Sequence, residues 1–300
     1  MPISKEALRI RKTLVKEVAD PSVTFAEERE AWQQAVQNQK LPSGITSCYH
    51  QYASVACLDI RPDGPLNDGV ILYLHGGGLV AGSAETHATL SAHLSLVTGM
   101  RVIVPNYRLL PESIFPAPLE DCLDVYDALI IEEGYLPKAI CLGGDSHGAA
   151  LAVGVLTELR ERELPQPAAA FSISGAFDST LTDGALEILD KSDPVLSLEA
   201  LRLWKSRIQT TTQLSLHLIS PMFADLSDLS PILLLAAADD IWRNDTVRLG
   251  KNWRRAGGEA EEHIFEGMWH VWPMWPDLPE SKAALELISK YLNEQVRKET

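Results

Sequence analysis

The chain of 300 residues is 46% hydrophobic and 22% charged, an ordinary globular composition able to bury a sizeable core. A formal net charge of -15 and a pI near 4.9 argue against nucleic acid or an anionic membrane as partner and fit a solvated acidic surface. No run approaches the roughly 18 apolar residues that a membrane span needs. The opening segment MPISKEALRIRKTLVKE is charged and amphipathic without an apolar h-region, which predicts no secretory signal and a cytoplasmic protein. Cys48, Cys57, Cys122 and Cys141 lack C-x-x-C spacing, so the expectation is reduced, buried thiols.

In chain order, Ile3, Leu8, Leu14, Val15 and Val18 mark one face of a first helix, and Phe25 to Val36 forms a second. Between them Asp20-Pro21-Ser22 supplies a break and a helix start. Extended runs follow at Thr46 to Tyr52 and Val55 to Ile60, closed by the turn-rich Arg61-Pro62-Asp63-Gly64-Pro65. Val70 to His75 reads as a continuous apolar strand that opens into Gly76-Gly77-Gly78. Helix Thr86 to Thr98, strand Arg101 to Tyr107, helix Pro118 to Glu132, strand Ala139 to Gly143, helix Ser146 to Glu161 and strand Ala168 to Ser174 continue the alternation. Fully apolar strands between helices predict an α/β protein whose parallel sheet is buried on both faces.

That order breaks at about 178–222, a mostly polar and helical stretch that includes Ser197 to Ile208. An insertion folding over the sheet, together with the N-terminal helices of about 1–42, accounts for it. Alternation resumes with strand Pro231 to Ala237, helix Asp245 to Ala256, strand Glu261 to Phe265 and helix Lys282 to Arg297. One domain, 1–300, with a lid is the economical organisation.

Three stretches carry chemistry. Gly144-Asp145-Ser146-His147-Gly148 is a G-x-S-x-G pattern between a strand and a helix, where a tight turn projects the serine hydroxyl. His75-Gly76-Gly77-Gly78 follows a strand directly and brings bare backbone N–H groups near a substrate oxygen, unless it is simply a flexible turn. Asp240 closes PILLLAAADD and His270 follows the last strand, so the chain order is serine, acid, histidine. In open parallel sheets such residues collect at the carboxyl ends of the strands.

Together these motifs resemble the hormone-sensitive-lipase branch of the α/β-hydrolase-fold esterases. Further matching segments are Asn106-Tyr107-Arg108-Leu109-x-Pro111-Glu112, Phe115-Pro116-Ala117, Asp240 to Asp245 and the closing Gly267-x-x-His270. The resemblance implies an α/β-hydrolase fold, a mostly parallel sheet flanked by helices, with a helical cap. It also implies acyl-ester hydrolysis with Ser146 as nucleophile, His270 as base and then acid, and Asp240 as the acid that orients the imidazole. The N–H groups of Gly77, Gly78 and His147 would form the oxyanion hole. Asp239 is a rival acid, although the thirty residues from Asp240 to His270 resemble the family's spacing.

The expected activity is that of a serine carboxylesterase on short- to medium-chain acyl esters, through an acyl-enzyme. A lactonase or amidase would use the same parts, and a non-catalytic small-molecule receptor of this fold is the competing class, against which His270 stands. No metal or other cofactor is assigned, because His50, His87, His93, His217 and His263 show no ligand spacing. A homodimer through the edge strand Glu261 to Phe265 is plausible from the resemblance. His147 departs from the small residue usual after the nucleophile, and its ring is expected to pack or hydrogen-bond locally rather than act as base. His75 is expected to anchor the glycine loop, Arg108 and Glu112 to form a structural ion pair, and Trp242, Trp269, Trp272 and Trp275 to pack in the core.

Overall fold

In the computed structural model, which describes residues 3–64, 66–209 and 216–299, the apolar runs form one eight-stranded sheet. Met1 and Pro2 of the N-terminal segment, Pro65 of the expected turn and residues 210–215 of the insertion lie outside the described residues. The strands are β1 (Ile45–Tyr52), β2 (Val55–Pro62), β3 (Val70–Leu74), β4 (Arg101–Pro105), β5 (Ile140–Asp145), β6 (Ala169–Ile173), β7 (Ile232–Ala237) and β8 (Ala260–Phe265). Their spatial order is β1-β2-β4-β3-β5-β6-β7-β8, antiparallel where β1 meets β2 and β2 meets β4, and parallel from β4 to β8. The chain has an α/β-hydrolase fold. β8 is an edge strand, as its half-exposed residues require.

The helices are α1 (Lys5–Arg11), α2 (Phe25–Val36), α3 (Ala88–Thr98), α4 (Ala117–Ile131), α5 (Ser146–Glu161), α6 (Leu186–Leu189), α7 (Leu198–Gln209), α8 (Leu216–Ile219), α9 (Arg243–Arg255) and α10 (Pro279–Glu299). Alternate side chains of each central strand feed opposite cores. Val70, Leu72 and Leu74 pack with α4, α5 and α9, while Ile71 and Tyr73 pack with α3 and α10. That two-sided burial is why these strands read as uninterrupted apolar runs.

The N-terminal residues and the stretch that joins β6 to β7 meet beside the ends of β6, β7 and β8. Ala176, Leu186, Leu189, Leu198, Leu201, Ile241 and Trp242 make a small core of their own there. Arg11 donates to the Gly267 and Ser192 carbonyls at 3.1 and 3.3 Å, and the Glu17 N–H donates to Val195 O at 2.7 Å. These bonds correct the expected first helix. It ends at Arg11, and Leu14, Val15 and Val18 run beyond it: Leu14 still packs on the core, but Val15 and Val18 are 84% and 79% exposed, and the stretch is tied down by the Glu17 N–H on Val195 O and by Lys16 on Asp190. The second helix spans Phe25–Val36 as expected, but its start signal is Thr24 rather than Asp20-Pro21-Ser22: the Thr24 side chain and Glu27 form a reciprocal capping box. Cys48 is also exposed rather than buried, since β1 is an edge strand open to solvent.

A buried ion pair fixes the antiparallel end of the sheet. Arg101, on β4, grips Asp59 of β2 through two bonds of 2.9 and 2.7 Å, and also reaches Glu133 and the Tyr52 hydroxyl. Both Asp59 and Arg101 are almost wholly buried, so removing the guanidinium strands a desolvated carboxylate. Arg101→Met is expected to cost about 3 kcal/mol, the low end of the usual range because Arg61 still reaches Asp59. Urea unfolding checks this as a fall in midpoint at constant slope.

Candidate active site

β5 passes into α5 without an intervening loop, and Ser146 stands at the junction with φ at +53°. A non-glycine residue there is strained and signals a position that surrounding structure imposes. The crowding is visible at Gly148, where a Cβ would sit 2.1 Å from Leu74 O and 2.3 Å from His75 O. The Ser146 carbonyl accepts from Ala176 N at 3.1 Å, whereas its hydroxyl has no hydrogen-bond partner among the described residues. Asp245 holds the loop behind it, accepting from the N–H groups of Phe177 and Asp178 at 2.8 and 2.7 Å.

Asp240 and His270 come together from the ends of β7 and β8. The Asp240 carboxylate is fully buried, takes the Trp242 N–H at 2.9 Å and lies 3.0 Å from His270 Nδ1. A carboxylate only accepts, so Nδ1 carries the proton and Nε2 is left able to receive one. The Val271 N–H donates to Ser174 Oγ at 3.1 Å, tying the histidine loop to the end of β6. Asp239 turns the other way and pairs with Arg11 at 2.9 Å, so the adjacent carboxylates occupy different environments.

A third carboxylate was not singled out from the sequence. Asp193, in the insertion, is buried and accepts the N–H groups of Val195, Leu196 and Ile241 at 2.8 to 2.9 Å. Burial and the nearby charge of Asp240 push its carboxyl up to about 6. Burial disfavours the charged form of His270. The charge and hydrogen bond of Asp240, with the charges of Asp193 and Asp145, outweigh it and raise the imidazole above its ordinary value.

The glycine loop between β3 and α3 is held from beneath by Asp145, which accepts the Gly76 N–H at 3.1 Å and the Tyr73 hydroxyl at 2.8 Å, with His87 Nε2 at 3.4 Å. His75 does anchor this loop. Its Nδ1 lies 2.8 Å from Gly76 O, its ring stacks on Tyr107 at 4.1 Å, and the Tyr107 hydroxyl donates to His75 O at 2.6 Å. Burial and the neighbouring His87 lower its pKa to about 3, so the ring is neutral and the Nδ1 proton points to the carbonyl. Gly77 and Gly78 adopt φ of +110° and +64°, and their N–H groups find no acceptor among the described residues.

The backbone N–H of His147 lies in the first turn of α5, where helices leave such groups without an intrahelical acceptor. Its buried ring packs 4.5 Å from Trp204 and 6.0 Å from Trp242, and Nε2 is 3.4 Å from Ser179 Oγ. Burial and the charge of His270 lower its pKa to about 3. Packing with a local hydrogen bond is therefore its observed environment. Trp242, Trp269 and Trp272 are buried and Trp275 partly so. The expected ion pair of Arg108 with Glu112 is corrected: Arg108 binds Asp121 at 2.7 Å and Glu112 binds Arg29 at 2.8 Å, each nearer in the fold than the other. Among the described residues no group of three or more His, Cys, Asp or Glu is arranged to hold a metal ion.

A sequence profile described as alpha/beta hydrolase fold matches residues 71–274. An acetyl-hydrolase of Streptomyces hygroscopicus is 36% identical over 224 residues, 74% of each chain. An ethyl acetate hydrolase of Pseudomonas putida is 28% identical over 70% of this chain and 68% of that one. The crystal structure of an esterase from the bacterial hormone-sensitive lipase family superposes with a TM-score of 0.92 at 32% identity, covering 99% of this chain and 100% of the other.

Asp193→Asn removes a charge that favours the imidazolium, so the His270 pKa is expected to fall. An NMR titration of the His270 ring checks the shift, and an unchanged or raised value contradicts the role given to Asp193.

Proposed function

Since this chain belongs to the hormone-sensitive-lipase family of α/β-hydrolase-fold esterases and is a carboxylic ester hydrolase, we propose that it cleaves short- to medium-chain acyl esters through an acyl-enzyme on Ser146. The observation that carries this reading is the Asp240–His270 hydrogen bond beside a serine on a strained strand-to-helix turn. His270 Nε2 takes the Ser146 proton as Oγ attacks the ester carbonyl carbon. The carbonyl oxygen becomes an oxyanion facing the N–H groups of Gly77, Gly78 and His147. Collapse of this intermediate expels the alcohol, which leaves with the proton from His270, and the acyl group stays on Ser146. Water, deprotonated by the same Nε2, then releases the carboxylic acid. Asp240 keeps the imidazole in the tautomer that both steps use. The hydrogen bond from Ser146 Oγ to His270 Nε2 is of the kind that forms once substrate is seated.

The N-terminal segment of about 1–42 and the insertion of about 178–222 act in this reading as a cap over the sheet's carboxyl end. The preference for short- to medium-chain acyl groups is supported by the aromatic cluster that His147, the residue after Ser146, forms with Trp204 and Trp242. It is also supported by the acetyl-hydrolase and ethyl acetate hydrolase names of two relatives.

Ser146→Ala is expected to lower hydrolysis of p-nitrophenyl acetate by at least about a thousandfold with the fold intact. Across p-nitrophenyl acetate, butyrate, octanoate and palmitate, kcat/KM is expected to be highest at the short end and about tenfold lower or more for palmitate. Retained turnover in the alanine variant, or a palmitate optimum, contradicts the assignment.

A further inference from the structure

The loop from Gly76 to Val80 carries two glycines at positive φ, a backbone with little stiffness of its own. Each of its carbonyls nevertheless has a partner. Gly76 O faces His75 Nδ1 at 2.8 Å, and Gly77 O accepts the N–H groups of Val80 and Ala81 within its own turn. Leu79 O accepts the Leu110 N–H at 2.8 Å. The remaining two are held from outside the sheet domain. The Trp204 indole N–H, on α7, donates to Gly78 O at 2.8 Å, and Arg29, on α2, donates from Nε to Val80 O at 2.6 Å.

A peptide unit is planar and trans, so fixing the carbonyl of one residue also fixes the direction of the next residue's N–H. The Gly76 carbonyl thus aims the Gly77 N–H, and the Gly77 carbonyl aims the Gly78 N–H. Gly77 O can do so only while the turn from Gly77 to Ala81 keeps its shape, and that turn is pinned at Gly78 and Val80 by side chains of α7 and α2. Arg29 is itself braced, donating to Leu110 O at 2.6 Å and pairing with Glu112. The Trp204 ring lies close over the loop, since a Cβ on Gly78 would be 2.8 Å from its Nε1.

We propose that Trp204 and Arg29 are positioning residues for the oxyanion hole, so that the two helical segments over the sheet complete the hole as well as cover the substrate. This rests on the assignment of Gly77 and Gly78 to that hole, and it places the effect of the two side chains on kcat. The discriminating comparison is Trp204→Phe, which keeps a ring against His147 and loses the donor, with Trp204→Gln, whose Nε2 stands the same number of bonds from Cβ as the indole nitrogen and keeps the donor.

Steady-state hydrolysis of p-nitrophenyl acetate and inhibition by phenylboronic acid, whose adduct with a serine is tetrahedral, are measured on both. Trp204→Phe is expected to lose about tenfold in kcat with KM within about twofold, and to weaken boronate binding by a similar factor. Trp204→Gln is expected to recover part of both losses. Arg29→Met against Arg29→Lys, which keeps one donor for Val80 O, is expected to show the same pattern and decides the matter should Trp204→Phe not fold. Wild-type kcat in Trp204→Phe, a loss confined to KM, or better retention by Trp204→Phe than by Trp204→Gln would overturn the proposal and assign Trp204 to packing. Turnover that survives Ser146→Ala would instead overturn the serine mechanism.

Discussion

Where β3 and β5 run side by side, the start of α5 presses so closely on the end of β3 that Gly148 has no space for a side chain against the Leu74 and His75 carbonyls. The contact brings the serine turn and the glycine loop into one place, because each follows directly from one of the paired strands. Asp145 locks the arrangement from below, one carboxylate oxygen serving both the Gly76 N–H and the Tyr73 hydroxyl. Burial works against its charge, and His87, Tyr73 and His75 outweigh it and hold its pKa below the usual carboxylate range. The strain at Ser146 is therefore sustained by packing and a buried hydrogen-bond set rather than by the turn itself.

On this frame the ionisable groups divide by environment. His75 and His147 are buried near one another's elements without a carboxylate on either ring nitrogen, and both are held neutral. His270 is slightly more open to solvent and faces Asp240, Asp193 and Asp145, and its pKa moves the other way. The difference separates one histidine suited to gain and lose a proton from two suited to hold a shape. Asp193 extends the set beyond the usual pair, and it arrives from the stretch between β6 and β7 rather than from a strand end, so that stretch contributes to the field at His270.

Most strands and sheet helices were legible because their burial is two-sided or amphipathic, which writes itself into short apolar runs and helical periodicity. Ser146, Asp240 and His270 were legible as motif residues with a chain order, and the structure adds the contact that separates Asp240 from Asp239. Other features leave no local trace. The Leu14, Val15 and Val18 stretch looked periodic, but of the three only Leu14 packs on the core, and the stretch is tied down by the Glu17 N–H on Val195 O and by Lys16 on Asp190. Trp204 meets a carbonyl 126 residues away, and Asp193 is satisfied by three backbone N–H groups, so neither partner has a side chain whose identity could have announced the pairing. Arg108 and Glu112, close in sequence, part company because Asp121 and Arg29 are better placed in space.

The central claim is that the environment of Ser146 and His270 makes this one hydroxyl reactive. Peptide mapping after brief exposure of the native protein to a fluorophosphonate tests it most directly. A single adduct on the peptide carrying Ser146, formed about a thousandfold more slowly in His270→Gln, is the expected result. An adduct on another serine such as Ser91 or Ser174, or labelling of Ser146 at the same rate without His270, would contradict it.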